Sequence, residues 1–277
     1  MTLLAPAKIN LSLSIRGRRD DGFHEIDSLV SPISLFDTLE ITSHDTGELQ
    51  FTCDDPTLPA DDTNLVVRAA RLFCTTCGIE PRLNIALTKR IPHGAGLGGG
   101  SSDAAATLFG LNRLFQTELS LDALSAMAAE LGSDVPLFLH HSAARLRGRG
   151  ELVEPVTFPH TLPLLLIKPC FGVPTPWAYS RWSDSREIPG VPYSSQEFEW
   201  GTLVNDLERP VFEKYLLLAH LKRWLLVQPE VAGALLSGSG ATVFAVLREK
   251  GGAGALGERL LVEFGTELWC CLAETVG

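Results

Sequence analysis

With 277 residues, 45% of them hydrophobic and 20% charged, the chain is long enough for two modest domains and reads as globular throughout. A net charge of −10 argues against a nucleic-acid surface, but not against a small anionic ligand, which needs only local positive potential. Met1 to Pro6 lacks a basic start and a long apolar run, so no signal peptide is expected. Tyr215 to Val227 is broken by His220, Lys222 and Arg223 and is too short to span a membrane, which leaves a cytoplasmic protein as the expectation.

Leu4 to Ile15 alternates, with Ile9, Leu11, Leu13 and Ile15 on one face and Lys8, Asn10, Ser12 and Ser14 on the other, and predicts a strand. Lys8 and Asn10 can act together if their face lines a site; otherwise that face is solvated. Asp21-Gly22 is a turn signal that delivers Phe23 and His24, a pair able to pack or to stack on a planar ligand. Ser31 to Thr42 and Leu49 to Cys53 read as strands. Thr63 or Asn64 can cap a helix running to Cys77, with Leu65, Ala69 and Leu72 on one face.

Leu83, Ile85, Leu87 and Ile91 alternate along a further strand, Arg82 to Ile91. Pro92 then opens a stretch with glycines at 94, 96, 98, 99 and 100, followed by Ser101, Ser102 and a helical pattern through Ala104, Leu108, Leu111 and Phe115. Ser101 or Ser102 is placed to cap that helix. Strand, glycine loop and helix start together suit phosphate: glycines admit φ > 0 and close approach, and the helix start offers unpaired N–H donors. The P-loop pattern is absent, because Gly100 and not a lysine precedes Ser101. Gly94-x-Gly96-x-x-Gly99 fits the dinucleotide fingerprint, but a second helix, Leu121 to Leu131, follows where that fold needs a strand.

Leu131-Gly132 stops that helix, and Ser133 can cap the next, with Asp134 in its first turn as a dipole-stabilising carboxylate. Arg145, Arg147 and Arg149 form a basic stripe on a short strand, to which no role is assigned. Leu162 to Ile167 is a buried strand, Pro174 to Tyr179 begins a helix, and Ser183 to Trp200 is a polar loop. Helices are predicted over 202–212 and 212–226. A glycine turn at Ser237 to Gly240 feeds a strand to Leu247, then a helix over 254–264 and a last strand over 267–272. The six cysteines read as buried thiols, since Cys74-x-x-Cys77 closes a helix and Cys270-Cys271 has no zinc-like spacing.

Pro92-x-Gly94-x-Gly96-Leu97-Gly98-Gly99-Gly100-Ser101-Ser102 resembles the ATP loop of the galactokinase, homoserine kinase, mevalonate kinase and phosphomevalonate kinase (GHMP) superfamily. Further stretches, in order along nearly the whole chain, resemble the 4-diphosphocytidyl-2-C-methyl-D-erythritol kinase family within it: Pro6 to Leu11, Gly17 to His24, Asp62 to Ala70, Leu131 to Pro136, Pro174 to Pro176, Asn205-Asp206 and Ser237 to Ala241. The resemblance implies an α+β fold of two domains, a ribosomal-protein-S5-like N-terminal half (1–152) that binds ATP and a ferredoxin-like C-terminal half (153–277) that binds the acceptor. It implies ATP as co-substrate with Mg2+, a cytidyl diphosphate alcohol as acceptor, no nucleic-acid or membrane partner, and a place in isoprenoid precursor synthesis.

By the same resemblance, Asp134 is the catalytic base and Lys8 balances charge on the transferred phosphoryl. Asn64, Leu65, Lys89, Pro92, Gly94, Gly96, Leu97, Gly98, Gly99, Gly100, Ser101 and Ser102 hold ATP. Asn10, Phe23, His24, Tyr179, Gly238 and Gly240 hold the acceptor, and no residue is assigned to the metal. The family usually has tyrosine at position 23; phenylalanine keeps the stacking face and loses a hydroxyl. The other readings are a different superfamily kinase, acting on mevalonate phosphates or a sugar, and a nucleotide-binding regulator without chemistry. The presence of both Lys8 and Asp134 argues against the regulator.

Overall fold

The computed structural model describes residues 1–276. In chain order its elements are β1 (Thr2–Arg18), β2 (His24–Ser43), β3 (Gln50–Cys53), α1 (Leu65–Cys77), β4 (Leu83–Thr88), α2 (Gly99–Leu114), α3 (Leu121–Leu131), α4 (Val135–Phe138), β5 (Ala144–Gly148) and β6 (Leu152–Pro155). They continue with β7 (Pro163–Lys168), α5 (Thr175–Arg181), β8 (Gln196–Phe198), β9 (Gly201–Asn205), α6 (Glu208–Lys214), α7 (Leu216–Leu226), β10 (Val231–Leu236), β11 (Val243–Leu247), α8 (Ala253–Phe264) and β12 (Trp269–Glu274). The class is α+β, as expected.

Two compact units divide the chain: Met1–Ala7, Leu35–Pro92 and Gly98–Ser142 in the first, and Lys8–Ser34, His93–Leu97 and the chain from Ala143 onward in the second. These packing units are not consecutive halves, because β1 and β2 each run from one into the other. A boundary at 152/153 is a division by function and belongs to the proposal below.

In the first unit β4 pairs parallel with β3 and antiparallel with the Thr38–Ser43 end of β2. Leu83, Ile85 and Leu87 are buried on one face of β4. Helices α1 and α2 pack together, burying Val66, Ala69, Ala70 and Phe73 on one and Ala104, Leu108 and Leu111 on the other. In the second unit the Ile26–Val30 stretch of β2 pairs with β5, and β5 with β6. The order β10-β11-β7-β12 forms an antiparallel four-stranded sheet. Its β11 is buried at every position, a continuous apolar run of the kind a strand covered on both faces needs. Helix α7 packs on β10 and β11.

Several expectations are corrected. The helix predicted over 202–212 is β9 followed by α6. Thr202-Leu203-Val204 is β-prone, and β9 is held in parallel register with β1 (Ser12↔Val204, Leu13↔Asn205) and antiparallel to β8, so pairing with distant strands overrides the local pattern. The loop over 183–200 accordingly contains β8. Strand β2 starts at His24, not Ser31. Of the cysteines only Cys74 is buried; Cys170 and Cys270 are exposed, and all six are free thiols. No helix among the described residues is long and apolar enough to cross a membrane.

Candidate active site

The glycine loop leaves β4 and turns three times through left-handed conformations, at Gly94 (φ 63°), Gly96 (φ 74°) and Gly98 (φ 72°). Gly98 occupies the N-cap position of α2, and the N–H of Ser102 bonds the Gly98 carbonyl at 2.9 Å. Ser101 and Ser102 therefore lie inside the first turn and do not cap the helix, contrary to the sequence expectation. A left-handed glycine can turn the chain directly into the helix, so the helix begins three or four residues earlier than a Ser101 or Ser102 cap would set it. Helix geometry leaves the N–H groups of Gly99, Gly100 and Ser101 without intrahelical partners, as an anion site requires. The Ser102 hydroxyl is buried with no hydrogen-bond partner among the described residues.

The second glycine turn, Ser237 to Gly240, interlocks with this loop inside the second unit. Ser237 Oγ donates to the Gly96 carbonyl at 2.9 Å, and the Thr242 N–H donates to the Ala95 carbonyl at 3.1 Å. A Cβ on Gly96 would fall 2.2 Å from the Ser237 carbonyl oxygen and 3.0 Å from that of Gly240. Gly96→Ala is therefore expected to destabilise the protein by about 2–5 kcal/mol, summing the left-handed penalty for a non-glycine residue and overpacking against backbone. Chemical denaturation reads this directly; a wild-type midpoint would mean that the two turns do not approach so closely.

Lys8 and Asn10, on the β1 face that alternation left either lining a site or solvated, are each 5% exposed, so that face is buried here. Lys8 Nζ donates to Asn10 Oδ1 at 2.6 Å, Asn10 Nδ2 donates to Ser28 Oγ at 2.9 Å, and Ser28 Oγ donates to the Ser12 carbonyl at 2.5 Å. The Lys8 N–H bonds the Leu97 carbonyl, tying β1 to the glycine loop. A Cβ on Gly238 would lie 3.3 Å from Lys8 Nζ and 3.2 Å from Asn10 Oδ1. The structure thus brings Lys8, Asn10, Leu97 and Gly238 together. Asn205, previously only part of a motif, donates from Nδ2 to the carbonyls of Leu236 and Gly238, both at 2.8 Å, and anchors the second turn. The Asn205-Asp206 stretch in the family resemblance was the only sequence signal for it.

Among the aromatic candidates, His24 and Tyr179 have ring centroids 5.4 Å apart, and Trp182 lies edge-on to His24 at 6.0 Å. Sequence reasoning missed Trp182, whose indole N–H is buried without a partner among the described residues. Burial, aided by Arg18, holds the His24 pKa below the usual histidine value, so at neutral pH its ring offers one donor and one acceptor. Phe23 is 51% exposed and carries the Arg149 guanidinium 4.8 Å over its ring. The basic stripe is a set of ion pairs: Arg145 with Asp27, Arg147 with Glu154 and Arg149 with Glu151.

In the first unit, Asn64 is the N-cap of α1, accepting from the Val66 N–H at 2.9 Å while its Nδ2 donates to the Pro59 carbonyl. Leu65 reaches to 3.6 Å from the Cβ position of Gly100. Lys89 lies at the exit of β4, bound to the buried carboxylates of Asp37 and Asp103. Asp134, and not Ser133, is the N-cap residue of α4, and its side chain makes no capping bond. Its carboxylate is thus not used to hold the helix that presents it. Among the described residues no group of three or more His, Cys, Asp or Glu side chains could hold a metal.

A family model, "GHMP kinases N terminal domain", matches residues 64–142, which include the glycine loop, α1 and α2. A crystal structure of homoserine kinase from Cytophaga hutchinsonii superposes with a TM-score of 0.71 at 19% identity, covering 100% of this chain and 94% of that one. The class defined by the fold and the glycine loop is the GHMP kinase fold. A 4-diphosphocytidyl-2-C-methyl-D-erythritol kinase of Methylacidiphilum infernorum is 46% identical over 89% of this chain and 86% of its own. A crystal structure described as 4-(cytidine 5'-diphospho)-2C-methyl-D-erythritol kinase is 36% identical, with a TM-score of 0.81 and complete coverage of both chains. The chain belongs to the 4-diphosphocytidyl-2-C-methyl-D-erythritol kinase family.

Proposed function

We propose that this protein transfers the γ-phosphoryl of ATP to the 2-hydroxyl of 4-diphosphocytidyl-2-C-methyl-D-erythritol, in the non-mevalonate route to isoprenoid precursors. The observation that carries the chemistry is the buried Lys8–Asn10 pair against Gly238 and the glycine loop; family membership supports the substrate. The N–H groups from Gly94 to Ser102, with Pro92 and Leu97 shaping the loop, hold the ATP phosphates. Asn64, Leu65 and Lys89 serve the rest of the nucleotide. The acceptor oxygen forms its bond to the γ-phosphorus as the bond to the β–γ bridging oxygen breaks, and ADP leaves. Asp134 takes the hydroxyl proton, and the Lys8 ammonium offsets charge on the transferring group.

Phe23, His24 and Tyr179 hold the cytosine, while Asn10, Gly238 and Gly240 hold the remainder of the acceptor. Residues 1–152 then carry the nucleotide groups and 153–277 add Tyr179 and the second glycine turn. Mg2+, bound with ATP, would lessen the charge of its phosphates; no residue of the chain is assigned to hold it. The protein is a cytoplasmic enzyme of small molecules in this reading. The deciding assay follows ATP consumption with the cytidyl diphosphate alcohol, with mevalonate and homoserine as controls. Turnover is expected only with the first; preference for a control would make it another GHMP-type kinase, and no turnover with any would favour a regulator.

A further inference from the structure

The Lys89 ammonium has two carboxylate partners, Asp37 and Asp103, the second at 2.8 Å, and the side chains of Lys89, Asp37 and Asp103 are only 9%, 0% and 3% exposed. Asp37 is fully engaged, since its Oδ1 also accepts the backbone N–H groups of Arg90 and Ile91 at 2.5 and 2.8 Å. Asp103 is not: Oδ2 accepts from Lys89, and Oδ1 is buried with no hydrogen-bond partner among the described residues. The cluster lies under the start of α2, because a Cβ on Gly99 would fall 3.3 Å from Lys89 Nζ. With both carboxyls ionised, one ammonium faces two carboxylates, and an excess negative charge is buried at the helix end that is to receive phosphate.

An anion bound at that end repels the excess charge. A proton on Asp103 removes it and leaves a neutral Lys89–Asp37 pair. We propose that Asp103 is a positioning residue for the nucleotide, taking up a proton when ATP phosphates occupy the glycine loop, so that the neutral cluster under Gly99 is the ATP-binding form. The inference rests on the kinase reading above. Burial pushes the Asp103 carboxyl up to about 7, with the Asp37 carboxylate adding to the rise and Lys89 opposing it. Those two are the charged groups that act on Asp103. Asp54 accepts the Lys89 backbone N–H at 2.7 Å, Arg90 is exposed with its guanidinium on the Lys89 carbonyl, and the Cys53 thiol also feels Lys89. On the helices packed against α2, α1 carries the exposed Arg68 and Arg71, the latter turned to Asp62 at the surface, α3 carries Asp122 and Glu130, both exposed, and α4 has no charged residue.

The test is calorimetric titration of the full chain with MgATP, which stays fully ionised between pH 6 and 8, on wild type and on Asp103→Asn. For a binding-competent form set by one proton with a pKa near 7, the wild-type Kd should rise roughly tenfold from pH 6 to pH 8. Asp103→Asn, a permanent mimic of the neutral form, should show a flat profile and bind at pH 8 as wild type does at pH 6. Repeating the wild-type titration in buffers of different ionisation enthalpy should show uptake of about half a proton per ATP at pH 7, a readout that stands even if the variant does not fold. Parallel pH profiles, or zero uptake with ATP bound, would overturn the inference and leave the kinase reading intact. No MgATP binding at any pH would overturn both.

Discussion

Asp134→Asn is expected to keep ATP affinity and to lose turnover by about 10²–10⁴-fold, the usual cost of removing a general base. Asparagine matches aspartate in shape and cannot accept the proton of the acceptor hydroxyl. The carboxylate makes no capping bond to α4, so a purely structural effect on the helix should be small, and thermal unfolding should be close to wild type. A kcat within a few-fold of wild type would leave Asp134 as a residue that only complements the helix dipole, and the base would have to be sought elsewhere. Measuring kcat beside a direct ATP titration separates the two, since a structural lesson would weaken binding and turnover together.

Tyr179→Ala should raise the KM for the cytidyl diphosphate alcohol roughly 5- to 150-fold, the equivalent of about 1–3 kcal/mol for one base–aromatic stack. The KM for ATP should stay unchanged. Tyr179 lies beside His24 at 5.4 Å between ring centroids, tilted by 34°, so losing the phenol also removes the wall that orients the imidazole. His24, neutral at physiological pH because burial and Arg18 hold its pKa down, can present both a donor and an acceptor to a base edge. A uridyl analogue exchanges a donor for an acceptor on that edge and leaves buried groups unpaired, so it should be a poor substrate of the wild type. Equal phosphorylation of the cytidyl and uridyl compounds, or an unchanged acceptor KM in Tyr179→Ala, would remove the cytosine pocket from the proposal. Phe23, half exposed and covered on one face by Arg149, would then be a surface residue rather than a stacking platform.

Apart from the start of α2, which Gly98 and not Ser101 or Ser102 caps, the local geometry around the nucleotide loop was legible from residue types. Alternating Leu83, Ile85 and Leu87 make a half-buried strand wherever a sheet is available, glycine is the residue for the left-handed positions 94, 96 and 98, and Asn64 caps α1 as its type predicts. Such features are decided within a few residues, by sterics and by hydrogen bonds that the chain makes with itself. What Lys8, Lys89 and the arginine stripe do was not legible, because a charge is defined by partners brought from far along the chain. Alternation left open whether the Lys8 face was solvated, and only pairing with Asn10, Ser28 and the Gly238 turn shows it buried. Lys89 showed as a strand-end cation; folding surrounds it with Asp37 and Asp103, and the imbalance of charge there exists only in three dimensions. The stripe of Arg145, Arg147 and Arg149 had no role until Asp27, Glu154 and Glu151 came to face it. β9 looked helical for the same reason: a five-residue strand gains its hydrogen bonds from β1 and β8, which its own sequence does not contain.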